Sequence, residues 1–279
     1  MLIPKIKKKS ILSMLEKDLR LDGRSPNQYR DISVHVGVIE KAEGSALAKI
    51  GNTVALVGIK VGVGTPFPDL PDQGVLAVNA EFVPLAFPTF EPGPPDENAV
   101  ELARIIDRSL RELDVVDLKK MTIIPGEKVY IIWLDIYVLD HDGNLTDACM
   151  LASMAALLNT KVPKAEADDR GFIKLNKDEA TPLLVNRRVV IVSIGKVGGK
   201  LIVDPNLEEE QVLEAKLSIS IGDNGVVAGM QKTGLSSFTQ EEVEKAVEIA
   251  SDKSKELFAV IDEALKKPSS LWEALRDNG

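Results

Sequence analysis

Apolar positions three and four residues apart open the chain, where Ile11, Leu12, Leu15 and Leu19 follow Ser10, a residue suited to capping a helix. A short helix is therefore expected over 11–19 behind a lysine-rich basic arm, with LDGRSPNQYRD ending it. From Ile32 the period falls to two: ISVHVGVIE alternates, GSALAKIGN turns and returns, and TVALVGIKVGV is a β-branched run. This pattern predicts three antiparallel strands. A proline-rich stretch over 65–98 is interrupted only by GVLAVNAEFVPLA, which suits an edge strand. Asp96 then stands as a cap ahead of Ala99, Ala103, Ile106, Leu110 and Leu113, whose steps of four and three predict an amphipathic helix. KVYIIWLDIYVL at 128–139 is apolar on both alternating faces, as for a central strand covered on both sides or lying at a subunit contact.

DACMLASMAALL at 147–158 reads as a helix whose alanines permit close packing on a sheet. A polar segment fills 160–185. RRVVIVSI, KLIVD and EAKLSISI then predict a second, antiparallel sheet, with Gly198-Gly199 and Asn224-Gly225 as hairpin turns. Thr239 and Glu242 occupy capping-box positions ahead of Val243, Val247, Ala250, Leu257 and Ile261, a helical stripe that ends before Pro268. Strands followed by helices thus occur twice, over about 31–113 and about 187–267, as two pseudo-repeated halves of one domain spanning 1–279. The class is α+β.

Composition narrows the function. The 279 residues carry 34 Lys and Arg against 43 Asp and Glu, a net charge of −9, which argues against nucleic-acid binding by the whole surface. Any such contact must be local. Cys149 is the single cysteine, so there is no intrachain disulfide and no thiolate zinc site to expect. With no signal-like h-region and no apolar run of membrane-spanning length, a cytoplasmic protein is the expectation.

Classical catalytic constellations are missing from the pattern. His35 falls in a strand and His141 in a turn, neither followed at i+3 or i+4 by a companion for a metal or triad. The glycines of GIKVGVGTP match no phosphate-binding loop and read as strand residues. Asp204, Glu208, Glu209, Glu210 and Glu214 form an acidic run that suits a hard cation or, more simply, a solvated turn. No metal and no cofactor is expected. The arginines of ELARIIDRSLRE are more informative, because Arg104, Arg108 and Arg111 fall within an arc of about 60° at 100° per residue, opposite the apolar stripe. Such a ridge is either salt-bridged to Glu101, Asp107 and Glu112 or free to grip successive phosphates.

Five segments in order, LDGRSPNQYRDISV, GSALAKIGNTVALVGIKV, FEPGPPDENAVELARIIDRSLRE, VYIIWLDIYVLDHDGN and DACMLASMAALLNTKV, resemble the RNase PH family. The likeness is strongest to its non-catalytic member in the archaeal exosome ring, and the basic KIKKKSI arm is similar too. The resemblance implies an RNase PH-like fold of duplicated β-α halves of the ribosomal S5 domain-2 type. It implies a hetero-hexameric ring with an active RNase PH-like subunit, single-stranded RNA as ligand, and room for RNA-binding cap subunits.

By that resemblance Asn144, Leu145 and Thr146 stand where active relatives carry a phosphate-binding Gly-Thr-Arg, and Lys216 stands at the catalytic aspartate, although Asp204, Glu214 and Ala215 are kept. Thr146 and Lys216 are thus lost catalytic positions, no catalytic residue is expected, and Arg104, Arg108 and Arg111 are the RNA-binding candidates. Two other readings stay open: an independently active phosphorolytic exoribonuclease, and a metal-dependent small-molecule enzyme using the turn at 204–214.

Overall fold

The computed structural model describes residues 3–167 and 173–276. Helix α1 spans Ile3–Leu15. The first sheet contains β1 (Ile32–Val36), β2 (Gly44–Ile50), β3 (Thr53–Gly64), β4 (Val75–Phe82), the short β5 (Thr122–Ile124) and β6 (Lys128–Asp140). Its order is β1-β2-β3-β6-β4, antiparallel except for the parallel pair β4 and β6, with β5 pairing β6. Between β4 and β6 the chain forms α2 (Glu97–Glu112), the crossover that a parallel neighbour requires. Helix α3 (Leu145–Leu158) follows, then a hairpin of β7 (Lys161–Ala167) and β8 (Ile173–Pro182).

The second sheet joins β9 (Val189–Val197), β10 (Lys200–Val203), β11 (Ala215–Gly222) and β12 (Val227–Gly234) in the order β10-β9-β11-β12, all antiparallel. The single turn α4 (Leu207–Glu210) links β10 to β11, and α5 (Gln240–Lys266) and α6 (Leu271–Arg276) close the chain. Among the described residues no helix is long and apolar enough to cross a membrane.

Helices α2, α3 and α5 form a middle layer between the two sheets. Helix α3 meets β2 and β3 on one side and β9 on the other, while α2 bridges β4 to β12 and α5 bridges β1 to β9. From Thr146 to Leu157 every residue of α3 is buried, which explains its lack of a polar stripe: a helix covered all round has no face to give to water. One apolar cluster runs from Val36, Ile59 and Ile136 through Met150 and Met154 to Ile191, Ile219 and Ile261, so both sheets share a single core.

Several expectations need correction. Helix α1 starts eight residues before the expected position, places Ser10 in its interior and ends before Leu19, which is exposed. The basic arm is itself helical because Pro4 lies in the first turn, where its missing N–H costs nothing. Ile11 and Leu15 then seat on Val197 and Ile202 of the second sheet and on Val212, which follows α4. Strand β6 is central, but of the two expected settings cover on both sides fails within the chain: Val129, Ile132, Leu134, Ile136 and Val138 are buried, while Ile131, Trp133 and Tyr137 on the other face are half-exposed, which leaves the subunit-contact setting open. The polar segment at 160–185 holds the β7–β8 hairpin, invisible as a period because most of its side chains face water. The capping box of α5 and the glycine turns at Gly198, Gly199 and Gly225, all with positive φ, are as expected.

Candidate nucleic-acid interface

Helix α2 starts where Asp96 accepts a hydrogen bond from the Ala99 amide at 2.8 Å, and buries Ala99, Leu102, Ala103, Ile106 and Leu110. This packing leaves Arg104 and Arg108 exposed on the opposite side, lining a cleft of about 600 Å³ between α2 and strands β11 and β12. Neither guanidinium has a carboxylate partner among the described residues. Glu101 instead accepts from Gln231 of β12, while Asp107 accepts from Arg111 Nε at 2.8 Å. Arg111 also donates to the Leu76 carbonyl at 2.6 Å, tying α2 to β4. The ridge therefore divides: two arginines line the cleft with no carboxylate partner among the described residues, and the third is engaged in holding the helix.

Thr146 and Lys216 are brought together. Both line a second cleft of about 330 Å³, which shares Glu101, Ile105, Ser218 and Gln231 with the first. Lys216 Nζ donates to Glu210 Oε1 at 2.9 Å, and the same oxygen accepts the Asn144 amide at 3.2 Å at the start of α3. A carboxylate of the protein thus already sits at a helix N-terminus, where an incoming anion is otherwise favoured. Asn144 adopts a left-handed conformation (φ 55°) and turns its amide inward to Asp147 and Asp204 at 2.9 and 2.8 Å. Leu145 and Thr146 offer no cation in its place.

Four of the five carboxylates of the acidic run, Asp204, Glu209, Glu210 and Glu214, are paired with cations. Asp204 is fully buried and binds Arg24 (2.9 Å), Arg30 (2.7 Å) and Asn144. Burial alone raises its carboxyl, but the Arg30 hydrogen bond and charge outweigh that and hold it below the ordinary value. Glu209 takes the guanidinium of buried Arg20, Glu210 takes Lys216, and Glu214 takes Lys8. Among the described residues no group of three or more His, Cys, Asp or Glu is placed to hold a metal ion. The metal-enzyme reading of 204–214 loses its donor set, because buried carboxylates must be paired and this network pairs them with arginine and lysine. Cys149 is buried, which pushes its thiol far up and leaves it inert.

Sequence reasoning missed one feature. Phe82, Phe87, Phe90 and His141 line the smaller cleft, with Phe90 stacked on His141 at 5.7 Å and 14°, and Phe87 edge-on to His141 at 5.2 Å. Burial lowers the His141 imidazole, partly offset by Glu210 and Asp142, so the ring is neutral at pH 7. The available signal was three of seven phenylalanines within 82–90 in a chain with 4% aromatics. His35, by contrast, meets Ser269 at 3.2 Å and lies outside both clefts.

Comparison with known proteins places this geometry. Residues 28–163 match the model of the 3′ exoribonuclease family, domain 1, and 188–253 match domain 2 of the same family. The chain is 46% identical over 264 residues to the exosome complex component Rrp42 of Methanothermobacter thermautotrophicus, covering 95% of this chain and 97% of that one. It is 51% identical over 264 residues to the Rrp42 component of Sulfurisphaera tokodaii, covering 94% of each. Among solved structures, the Archaeoglobus fulgidus exosome with RNA bound to the active site contains a chain 44% identical, with a TM-score of 0.85 over 93% of this chain and 99% of that one. An archaeal exosome core contains another at 39% identity and a TM-score of 0.82, covering 94% and 98%. With both family domains matched in order and near-full-length relatives at this identity, the chain belongs to the RNase PH-type 3′ exoribonuclease family, as a subunit of the exosome Rrp42 type.

Proposed function

We propose that this chain is a non-catalytic subunit of a 3′–5′ phosphorolytic exoribonuclease ring, alternating with an active RNase PH-like subunit and holding single-stranded RNA through Arg104 and Arg108. Phosphorolysis needs donors for the attacking phosphate and an acid or metal-holding carboxylate at the leaving oxygen. The observation that carries the reading is Lys216: an ammonium bonded to Glu210 at 2.9 Å stands at the position the family resemblance gives to the catalytic carboxylate. Beside it, Thr146 offers a hydroxyl where a guanidinium is required, and Glu210 repels a phosphate dianion. Arg104 and Arg108, with no carboxylate partner among the described residues, suit backbone phosphates, which they grip without regard to base sequence.

The test is phosphate-dependent release of nucleoside diphosphates from labelled single-stranded RNA. The chain alone and its Lys216→Asp variant are expected to stay near background, and the chain assembled with an active relative is expected to degrade. One repaired residue is insufficient because a missing preorganised donor still costs on the order of 10²–10³ in rate. Robust release by the wild-type chain alone would establish the independently active reading instead.

A further inference from the structure

The smaller cleft is poorly built for phosphate and well built for something flat. Glu101 and Glu210 line it, and its lysine is already neutralised by Glu210, so an anion meets net repulsion. Its wall is aromatic: Phe87 and Phe90 lie 5.5 Å apart and both pack on His141. The same lining holds amide and hydroxyl groups, including Asn98, Gln231 and Thr233. Gln231 already donates to Glu101 and Asn98 to Asp96, so what these amides present to a ligand is acceptor oxygen, and a nucleobase offers a π-face to the wall and amino edges to such acceptors. The volume, about 330 Å³, lies at the small end of ligand clefts. The shared lining of Glu101, Ile105, Ser218 and Gln231 makes the arginine cleft its continuation, so a strand whose phosphates lie along Arg104 and Arg108 has a base within reach of the aromatic wall.

We infer that this cleft is a nucleobase-binding site, with Phe87, Phe90 and His141 as its stacking wall and Asn98 and Gln231 at its polar edge. The base comes from a free nucleoside or from an RNA strand, and only the second source rests on the arginine reading above.

Two probes separate the sources: free 8-azidoadenosine, and single-stranded RNA carrying one 8-azidoadenosine, each photo-crosslinked to the assembled ring before the labelled peptides of this chain are mapped. Label within 82–98 or 141–146, competed by adenosine and not by inorganic phosphate, is the expected result. Label in the RNA arm alone identifies a base delivered by the strand, and label in the nucleoside arm identifies free nucleoside as an occupant. Phe87→Leu combined with Phe90→Leu keeps apolar bulk but removes the π-faces, and should reduce labelling on the order of tenfold while thermal melting stays cooperative. Asn98→Ala, on the exposed start of α2, is a second variant expected to weaken labelling without touching the wall. Absence of label from these segments in both arms, competition by phosphate, or full labelling of the leucine double variant overturns the site. If Arg104→Ala with Arg108→Ala leaves RNA labelling intact, the phosphate grip fails and the nucleobase site stands.

Discussion

At the residue scale, identical side chains on one helix face do different work according to what lies opposite. Arg104 and Arg108 have no carboxylate partner among the described residues, whereas Arg111 is held by Asp107 and the Leu76 carbonyl. Replacing the first two with alanine in the assembled ring is expected to weaken RNA binding for every sequence and to flatten the log–log salt slope by about 1.4, two phosphate contacts at about 0.7 each. Arg111→Ala should leave that slope alone and lower stability by about 1 kcal/mol or less, since its ion pair is half-exposed. Salt titration of binding and a denaturant melt distinguish the two outcomes.

Asp147 makes a second residue-level prediction. Burial is the main cause that raises its carboxyl to about 6, against the opposing bonds from Ser193, Asn144 and Tyr29. The folded chain therefore binds a proton that the unfolded chain releases near 4, so this contribution is complete below about pH 4 and is lost as pH rises through about 6, a change on the order of 3 kcal/mol. Asp147→Asn should gain stability relative to wild type across that window, and melts at pH 4, 5, 6 and 7 read it directly.

At the element scale, the approach of α3 to the first sheet is set by small groups. Gly44 on β2 faces the C-terminal end of α3 so closely that an added Cβ would collide with the Thr160 hydroxyl and lie 2.7 Å from the Ala156 carbonyl oxygen. Backbone cannot rotate away as a side chain can, so Gly44→Ala should cost about 1–3 kcal/mol by overpacking, measured by chemical denaturation. The N-terminal segment is tied down as firmly by polar groups. Arg20, 1% exposed, bonds Glu209 and the carbonyls of Val203 and Asp204, which joins the loop after α1 to the turn between β10 and α4. Arg20 was not legible in the sequence, because nothing in the local pattern around residue 20 distinguishes a buried guanidinium from a solvated one.

At the scale of the whole molecule, one core shared by two sheets leaves the outer face of the first sheet only partly covered. Helix α6 packs beside Leu47, Val54, Leu56 and Leu139, but Trp133 and Tyr137 remain half-exposed. Phe67, Leu70 and Leu85 on the proline-rich segment and Trp272 on α6 add exposed apolar surface. The proposed ring accounts for such surface, since obligate interfaces bury more than about 2,000 Å² and resemble a core cut in half. Co-expression with an active RNase PH-like relative is expected to yield a hexameric species by light scattering. Separate monomers at micromolar concentration would count against the ring.

The sequence by itself determined the elements whose apolar period is strong or whose ends carry specific chemistry: β1–β3, the edge strand β4, α2 behind Asp96, and α5 behind the Thr239 capping box. It also determined the angular clustering of three arginines, whereas Thr146 and Lys216 were read as lost catalytic positions only through the family resemblance. Tertiary structure decided everything that depends on which distant groups meet. Lys216 pairs with Glu210 across six residues, Asp204 collects Arg24 and Arg30 from 180 and 174 residues away, and Phe90 meets His141 from the far side of α2, β5 and β6 in the chain. A periodicity records which face of an element is apolar, but the charge state, burial and partner of a side chain are set by the surface folded against it. That is why the arginine ridge could be drawn from the sequence, while the separation of Arg111 from its two neighbours required the carbonyl of Leu76 on another strand.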